Sequence, residues 1–176
     1  PEIDWKEKLR ALITATSGRE SSTWARPNRR RLAIAPHMYM PGTTGFQLGG
    51  IAIVVDTSGS ISPVELNAFM TETAGILSEC RPEWCKLLWT DAEVAGVDEV
   101  DDPELLTSLT PKGGGGTYMP AAFAYMAEHG IYPEQCVVLT DMYTDYGKEQ
   151  EYPVTWVSTT KDKEAPFGET LYIEVG

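Results

Sequence analysis

A chain of 176 residues that is 42% apolar and 23% charged suits one globular domain, and its 5 Trp, 8 Tyr and 4 Phe supply a core that a disordered polyanion lacks. The 26 Asp and Glu against 14 Lys and Arg, a net charge of −12, argue against a protein that coats nucleic acid along its length. No apolar run reaches the ~18–20 residues of a membrane helix and no signal peptide leads the chain, so no membrane role and a cytoplasmic location are expected; the opening Pro1 points to a piece of a longer protein.

Asp4-Trp5-Lys6-Glu7 has the form of a capping box. Trp5, Leu9, Leu12, Ile13 and Thr16 then fall on one face of a predicted helix, with Gly18 as its expected stop. Residues 19–31 read as irregular and basic. Residues 1–31 hold 8 of the 14 bases and 4 acids, a local +4 beside a remainder of −16. Its Arg26 to Arg31 cluster is expected to pair with the body's own carboxylates. Arg31 to Met40 alternates as an extended edge segment, broken at Pro41-Gly42.

Ile51-Ala52-Ile53-Val54-Val55 is an unbroken apolar run, as in a strand buried on both faces. It ends on Asp56-Thr57-Ser58-Gly59-Ser60. Ser62-Pro63-Val64-Glu65 is a second capping box, opening a helix to about Cys80 with Leu66, Phe69, Met70, Thr73 and Leu77 inward. Trp84 to Trp89 and Val94 to Val100 read as strands joined by a hairpin at residues 90–93, with both tryptophans in the core. Asp101 to Leu109 reads as a short helix after Pro103. Residues 112–116 form a glycine loop before Thr117, and Pro120 opens a helix that stops near His129-Gly130. Cys136 to Thr140 is a second buried strand, ending in a Thr140-Asp141 pair. Val154 to Val157 and Leu171 to Val175 complete an α/β alternation around a mostly parallel sheet. Cys80, Cys85 and Cys136 are odd in number and lack the partners of a zinc site, with His37 and His129 the lone histidines, so they read as buried free thiols.

Two central strands deliver oxygens at their carboxyl ends, the edge where open α/β sheets bind ligands. Asp56, Ser58 and Ser60 leave the first strand, Thr117 follows the glycine loop, and Asp141 leaves the later strand. All five carry oxygen, the ligand type that a hard cation prefers. The plain alternative is turn and helix-cap chemistry, which also favours Ser and Asp. A phosphate loop is disfavoured at residues 113–116, because no Gly-Lys-Ser/Thr follows. Tyr118, Met119, Met142 and Tyr143 flank these loops as an interface rim or as packing beneath it. Asp145 adds rim charge or is a solvated surface acid.

This pattern resembles a von Willebrand factor A (VWA) domain with its metal-ion-dependent adhesion site, over roughly residues 48–176. Trp5 with its helix, residues 22–30 and Tyr39-Met40-Pro41-Gly42 further resemble the C-terminal VWA-like domain of bacterial and phage metallopeptidase-like proteins. The resemblance implies a Rossmann-like, doubly wound, mostly parallel six-stranded sheet, with helices on both faces and one antiparallel edge strand. It implies residues 1–47 as a helix and basic flank packing on the domain, and 48–176 as the domain itself. Asp56, Ser58, Ser60, Thr117 and Asp141 match the family's metal positions, for Mg²⁺ or for Mn²⁺ or Ca²⁺. The hydroxyls usually bind directly and one or both carboxylates act through water. A partner protein then completes the sphere with an Asp or Glu, and AAA+ ATPases of the MoxR type are the implied partner class. The connections after Asp141 and Val157 are short for helical crossovers. The last predicted element is a strand where integrin-type domains continue into a helix, so the amino-terminal helix is expected to cover that sheet face.

The leading expectation is therefore a metal-dependent protein-binding module rather than an enzyme. A metal-assisted hydrolase is the first alternative, but the chain has no His-Glu-x-x-His. A haloacid-dehalogenase-like phosphatase needs a second Asp two residues after the first, and position 58 is Ser. Nucleic-acid binding through Arg26 to Arg31 is the second alternative, opposed by the −16 body.

Overall fold

The computed structural model describes residues 5–22, 49–57, 61–109 and 116–173, and for 16–22 the backbone alone. Among the described residues ten elements follow in order: α1 (Trp5–Ser22), β1 (Gly50–Asp56), α2 (Pro63–Cys80), β2 (Trp84–Thr90), β3 (Val94–Glu99), a 3-10 helix (Pro103–Ser108), α3 (Pro120–Glu128), β4 (Gln135–Thr140), β5 (Val154–Ser158) and β6 (Glu169–Tyr172). The six strands form one sheet in the order β3-β2-β1-β4-β5-β6. All neighbours are parallel except β2 and β3, so β3 is the single antiparallel edge. This is the expected α/β, Rossmann-like architecture.

Strand parity sorts the core into two layers. Ile51, Ile53, Val55, Leu87, Trp89, Val137 and Leu139 face α1, α2 and the 3-10 helix. Ala52, Val54, Leu88, Val138 and Trp156 face α3. Both faces of β1 are therefore covered, which is why its seven residues are all buried.

α2 starts where its residues satisfy the free amides of a helix end. The Ser62 hydroxyl accepts from the Glu65 N–H at 3.1 Å and the Glu65 carboxylate accepts from the Ser62 N–H at 3.0 Å, with Pro63 in the first turn. Its inward face carries Phe69, Met70, Thr73 and Leu77 as expected, together with Ala74 and Ile76. Trp5, Leu9 and Ile13 of α1 are buried in the same cluster as Leu171 and Ile173, so this helix lies against the sheet. Arg10 pairs with Glu79, and Gln135 Nε2 donates to the Leu12 carbonyl at 3.4 Å, tying α1 to α2 and to β4.

Several boundaries differ from expectation. α1 runs past Gly18 to Ser22, because glycine inside a helix costs only ~1 kcal/mol and is a preference for stopping, not an obligation. β6 begins at Glu169 and ends at Tyr172, two to three residues earlier than read, with Ile173 still bonded to the Ser158 carbonyl at 2.8 Å. The short helix after Pro103 is a 3-10 turn. Trp84 is half-buried over Gly50, while Trp89 is fully buried with its indole N–H given to Asp98 at 2.7 Å. The edge segment at 31–40, the Arg26–Arg31 cluster and the Asp4 cap lie outside the described residues.

The links from β4 to β5 and from β5 to β6 are irregular, as their lengths required. Aromatic packing covers the sheet there in place of a helix. Trp156 meets Phe123, Tyr146 and Phe167 edge-on with centroids 5.3–6.0 Å apart, and its indole N–H donates to the Phe167 carbonyl at 3.0 Å.

Candidate metal centre

The strand order reverses between β1 and β4, the two strands from whose carboxyl ends Asp56 and Asp141 leave the sheet. Asp56 is the last residue of β1, is 1% exposed, and lies on the α3 side by strand parity. Both of its carboxylate oxygens receive hydroxyl hydrogen bonds. Thr117 Oγ1 donates to Oδ1 at 3.2 Å, and Thr140 Oγ1 donates to Oδ2 at 2.9 Å. Residues 61 and 84 positions away along the chain thus meet at one carboxylate.

These bonds decide what each oxygen has left to offer. A hydroxyl has one donor and two acceptor lone pairs. Thr117 spends its proton on Asp56 and keeps lone pairs for another electrophile. Thr140 also accepts from the Met142 N–H at 3.2 Å, so its hydroxyl works as a bracket holding Asp56 against the start of the next loop.

That loop turns sharply. Met142 adopts a left-handed conformation, φ 71°, which is uncommon for a residue with a side chain and is held here by burial. The turn lets the Tyr143 N–H donate to Asp141 Oδ1 at 3.0 Å, and Thr160 Oγ1 donates to the Asp141 carbonyl at 2.7 Å. Tyr146 donates its hydroxyl to the Met142 carbonyl at 2.8 Å; burial, then the nearby Asp141 charge, push its phenol above the ordinary value.

The hairpin β2–β3 braces the other two segments. The Thr90 carbonyl accepts from the Thr57 N–H at 3.0 Å and the Thr57 hydroxyl at 3.2 Å, and the Asp91 carbonyl accepts from the Tyr118 N–H at 2.8 Å. The segments bearing Asp56 and Thr117 are therefore both anchored to consecutive carbonyls of one hairpin.

Asp56, Thr117 and Asp141 gather at the same edge, on three loops braced by one another. Ser58 and Ser60 lie outside the described residues. The rim splits. Tyr118 and Tyr143 are 46% and 64% exposed, and Asp145 is exposed. Met119 and Met142 are buried in the α3 layer, so they are removed from the rim and act as apolar anchors beneath the loops. Lys163 extends the rim, its ammonium 3.7 Å from the Tyr143 ring centroid. No sequence signal marks it, because it lies in an irregular link 20 residues after Tyr143. Thr140 was visible only as the neighbour of Asp141. Its bracket role depends on the β1–β4 register.

The oxygens available here fit a hard divalent cation better than a soft one, being carboxylate and hydroxyl throughout. Among the described residues, no group of three or more His, Cys, Asp or Glu side chains is placed to hold a metal ion, and no helix is long and apolar enough to cross a membrane. Cys85 and Cys136 are buried free thiols and Cys80 is half-buried.

Similarity to known proteins agrees with this architecture. An uncharacterized protein of Thermotoga maritima is 36% identical over 146 residues, which is 82% of this chain and 34% of that protein, so the chain spans about a third of the relative's length. Residues 1–44 match a family model described as "Putative metallopeptidase domain". Residues 51–174 match the model described as "VWA-like domain (DUF2201)", and the chain belongs to that VWA-like family.

Proposed function

We propose that the carboxyl edge of the sheet is a divalent-cation-dependent protein-docking site, with Mg²⁺ the expected cation and Mn²⁺ or Ca²⁺ as substitutes. The observation that carries this reading is the convergence of the Thr117 and Thr140 hydroxyls on the two oxygens of buried Asp56. Asp56 is thereby committed to organising its neighbours, the role expected of a carboxylate acting through water. Thr117, with Ser58 and Ser60, would hold the cation directly, and Asp141 would complete the protein's share. When bound, the cation supplies Lewis acidity toward an incoming carboxylate.

Few direct anionic ligands leave such a cation short of charge, so a partner's Asp or Glu is a favourable addition. The exposed Tyr118 and Tyr143 rings and the Lys163 ammonium would flank that carboxylate. In this reading the chain is a recognition module, not the reacting part of the larger protein. An AAA+ ATPase of the MoxR type is the proposed partner class, and a hydrolytic role belongs to the metallopeptidase-like parent.

Mn²⁺ titration followed by water-proton relaxation tests the site. The wild-type chain should take up Mn²⁺, and acetate, used as the carboxylate probe, should lower the relaxivity by displacing a metal-bound water. Asp56→Ala should abolish uptake. Wild-type Mn²⁺ uptake that persists in Asp56→Ala would place the cation elsewhere.

A further inference from the structure

Thr90 ends β2 directly beside Asp56, its partner in the parallel register. It is 0% exposed, and its hydroxyl has no hydrogen-bond partner. Strand parity puts Thr90 on the α3 side with Leu88, as it puts Asp56 there with Val54. A row of polar residues therefore crosses the carboxyl end of four parallel strands: Thr90, Asp56, Thr140 and Ser158, all buried and in the order of the sheet. Three of the four are satisfied. Asp56 accepts from Thr140, and Ser158 exchanges hydrogen bonds with the backbone of Thr160 at 2.7 and 3.0 Å. Thr90 is the exception.

Buried polar groups are nearly always paired, and an unpaired one calls for an explanation, a water or an ion among them. The Thr73 and Tyr152 hydroxyls are unpaired too, but Thr90 is the one that stands beside Asp56. Valine has the same shape and the same strand preference without the cost. The position of the orphan narrows the choice. Thr90 and Asp91 are the residues whose carbonyls hold Thr57 and Tyr118, the neighbours of Asp56 and Thr117. Opposite Trp89 and Thr90, β3 carries an extra residue, Ala95, and such bulges often lie next to binding sites. The hydroxyl thus belongs to the hairpin that braces both cation-bearing segments.

We infer that Thr90 is an outer-sphere positioning residue of the cation site, its hydroxyl bonding a water that the cation retains. This rests on the cation reading above and adds a residue to it. Mg²⁺ gives up its waters reluctantly and usually keeps several, so a buried hydroxyl beside the water-bridging carboxylate has a natural partner there. Such second-layer partners typically change metal affinity by ~10–100-fold.

The test compares wild type, Thr90→Val and Thr90→Ser for Mn²⁺ affinity by calorimetry and for thermal unfolding without metal. Thr90→Val should bind Mn²⁺ about tenfold more weakly while its metal-free melting temperature stays level or rises. Thr90→Ser, which keeps the hydroxyl, should bind like wild type. Equal Mn²⁺ affinity in wild type and Thr90→Val would overturn the inference and leave the cation site standing. Equal weakening in Thr90→Val and Thr90→Ser, or a metal-free melting temperature that drops with Thr90→Val, would also overturn it by assigning the effect to packing. No Mn²⁺ uptake by wild type would remove the cation site and this inference together.

Discussion

Strand β1 has two ends built on opposite principles. At its amino end the chain is locked to itself. The Gly49 N–H donates to the Glu134 carboxylate at 3.0 Å, the Gly49 carbonyl accepts from Glu83 at 3.1 Å, and the Gly50 carbonyl accepts from Glu134 at 2.7 Å. The Trp84 ring fills the space where a Cβ on Gly50 would sit. Glycine is required here by close approach, since any side chain would overlap the indole. At the carboxyl end the hydrogen bonds run between side chains of separate elements, around a carboxylate, and one buried hydroxyl is left over. The first end is closed around β1 by these bonds, with the buried, unpartnered Tyr152 hydroxyl lying further out beside Cys136. The second end holds polar groups in place for something else.

The sharpest way to break this comparison is Gly50→Val, which should lower stability by ~3 kcal/mol through overpacking against Trp84, measured by urea unfolding. Unchanged stability would mean that the amino end has slack and is no lock. The folded fraction should keep its Mn²⁺ affinity, since the change lies at the far end of β1 from Asp56.

Thr140→Val should cost about 1–3 kcal/mol, because it leaves Asp56 Oδ2 and the Met142 N–H without their shared bracket. It should also weaken Mn²⁺ binding through the loss of Asp56 orientation. A stability loss with unchanged Mn²⁺ affinity would separate the bracket from the site and blur the contrast between the two ends.

The smallest effect concerns the thiols, which lie near the amino end of the sheet, with Cys85 paired to Ile51 and Cys136 to Ala52. Burial pushes the Cys85 thiol up to about 12 from its ordinary 9.0 and raises Cys136 as well. The unfolded chain ionises its thiols near the ordinary value and the folded chain does not, so unfolding releases protons in that range. This contribution to stability is full below pH ~9 and is lost as pH rises toward 12. Urea midpoints should therefore fall over that window, and less steeply in Cys136→Ala. In the native state at pH 8, Cys85 and Cys136 should not react with a thiol reagent. Rapid reaction of either would show an amino end that opens.

Much of the fold was legible because its signals are local. The apolar runs at 51–55 and 136–139 announce strands covered on both faces, and Ser62-Pro63-Val64-Glu65 carries its capping bonds within four residues. Asp56 and Asp141 were legible as strand-end oxygens because the edge that binds ligands follows from chain direction alone, and Thr117 as the oxygen that follows the glycine loop. Whether Met119 and Met142 belong to the rim or to the packing beneath it stayed open in the sequence, and burial puts them beneath, since adjacency to an exposed tyrosine says nothing about which way a loop residue turns. The left-handed Met142 is what sends its side chain under the loop and Tyr143 outward.

The sequence by itself determined the α/β class, the buried strands, the capped helix and the oxygen character of the edge, because each depends on residues within a turn or two of one another. Only the tertiary structure decided that Thr140 and Thr117 share one carboxylate, that Thr90 stands beside it without a partner, and that Lys163 lies over Tyr143. Those contacts join positions up to 84 residues apart. They depend on strand order and register, which set which side chains meet at the edge and which a one-residue slip would turn to the opposite face.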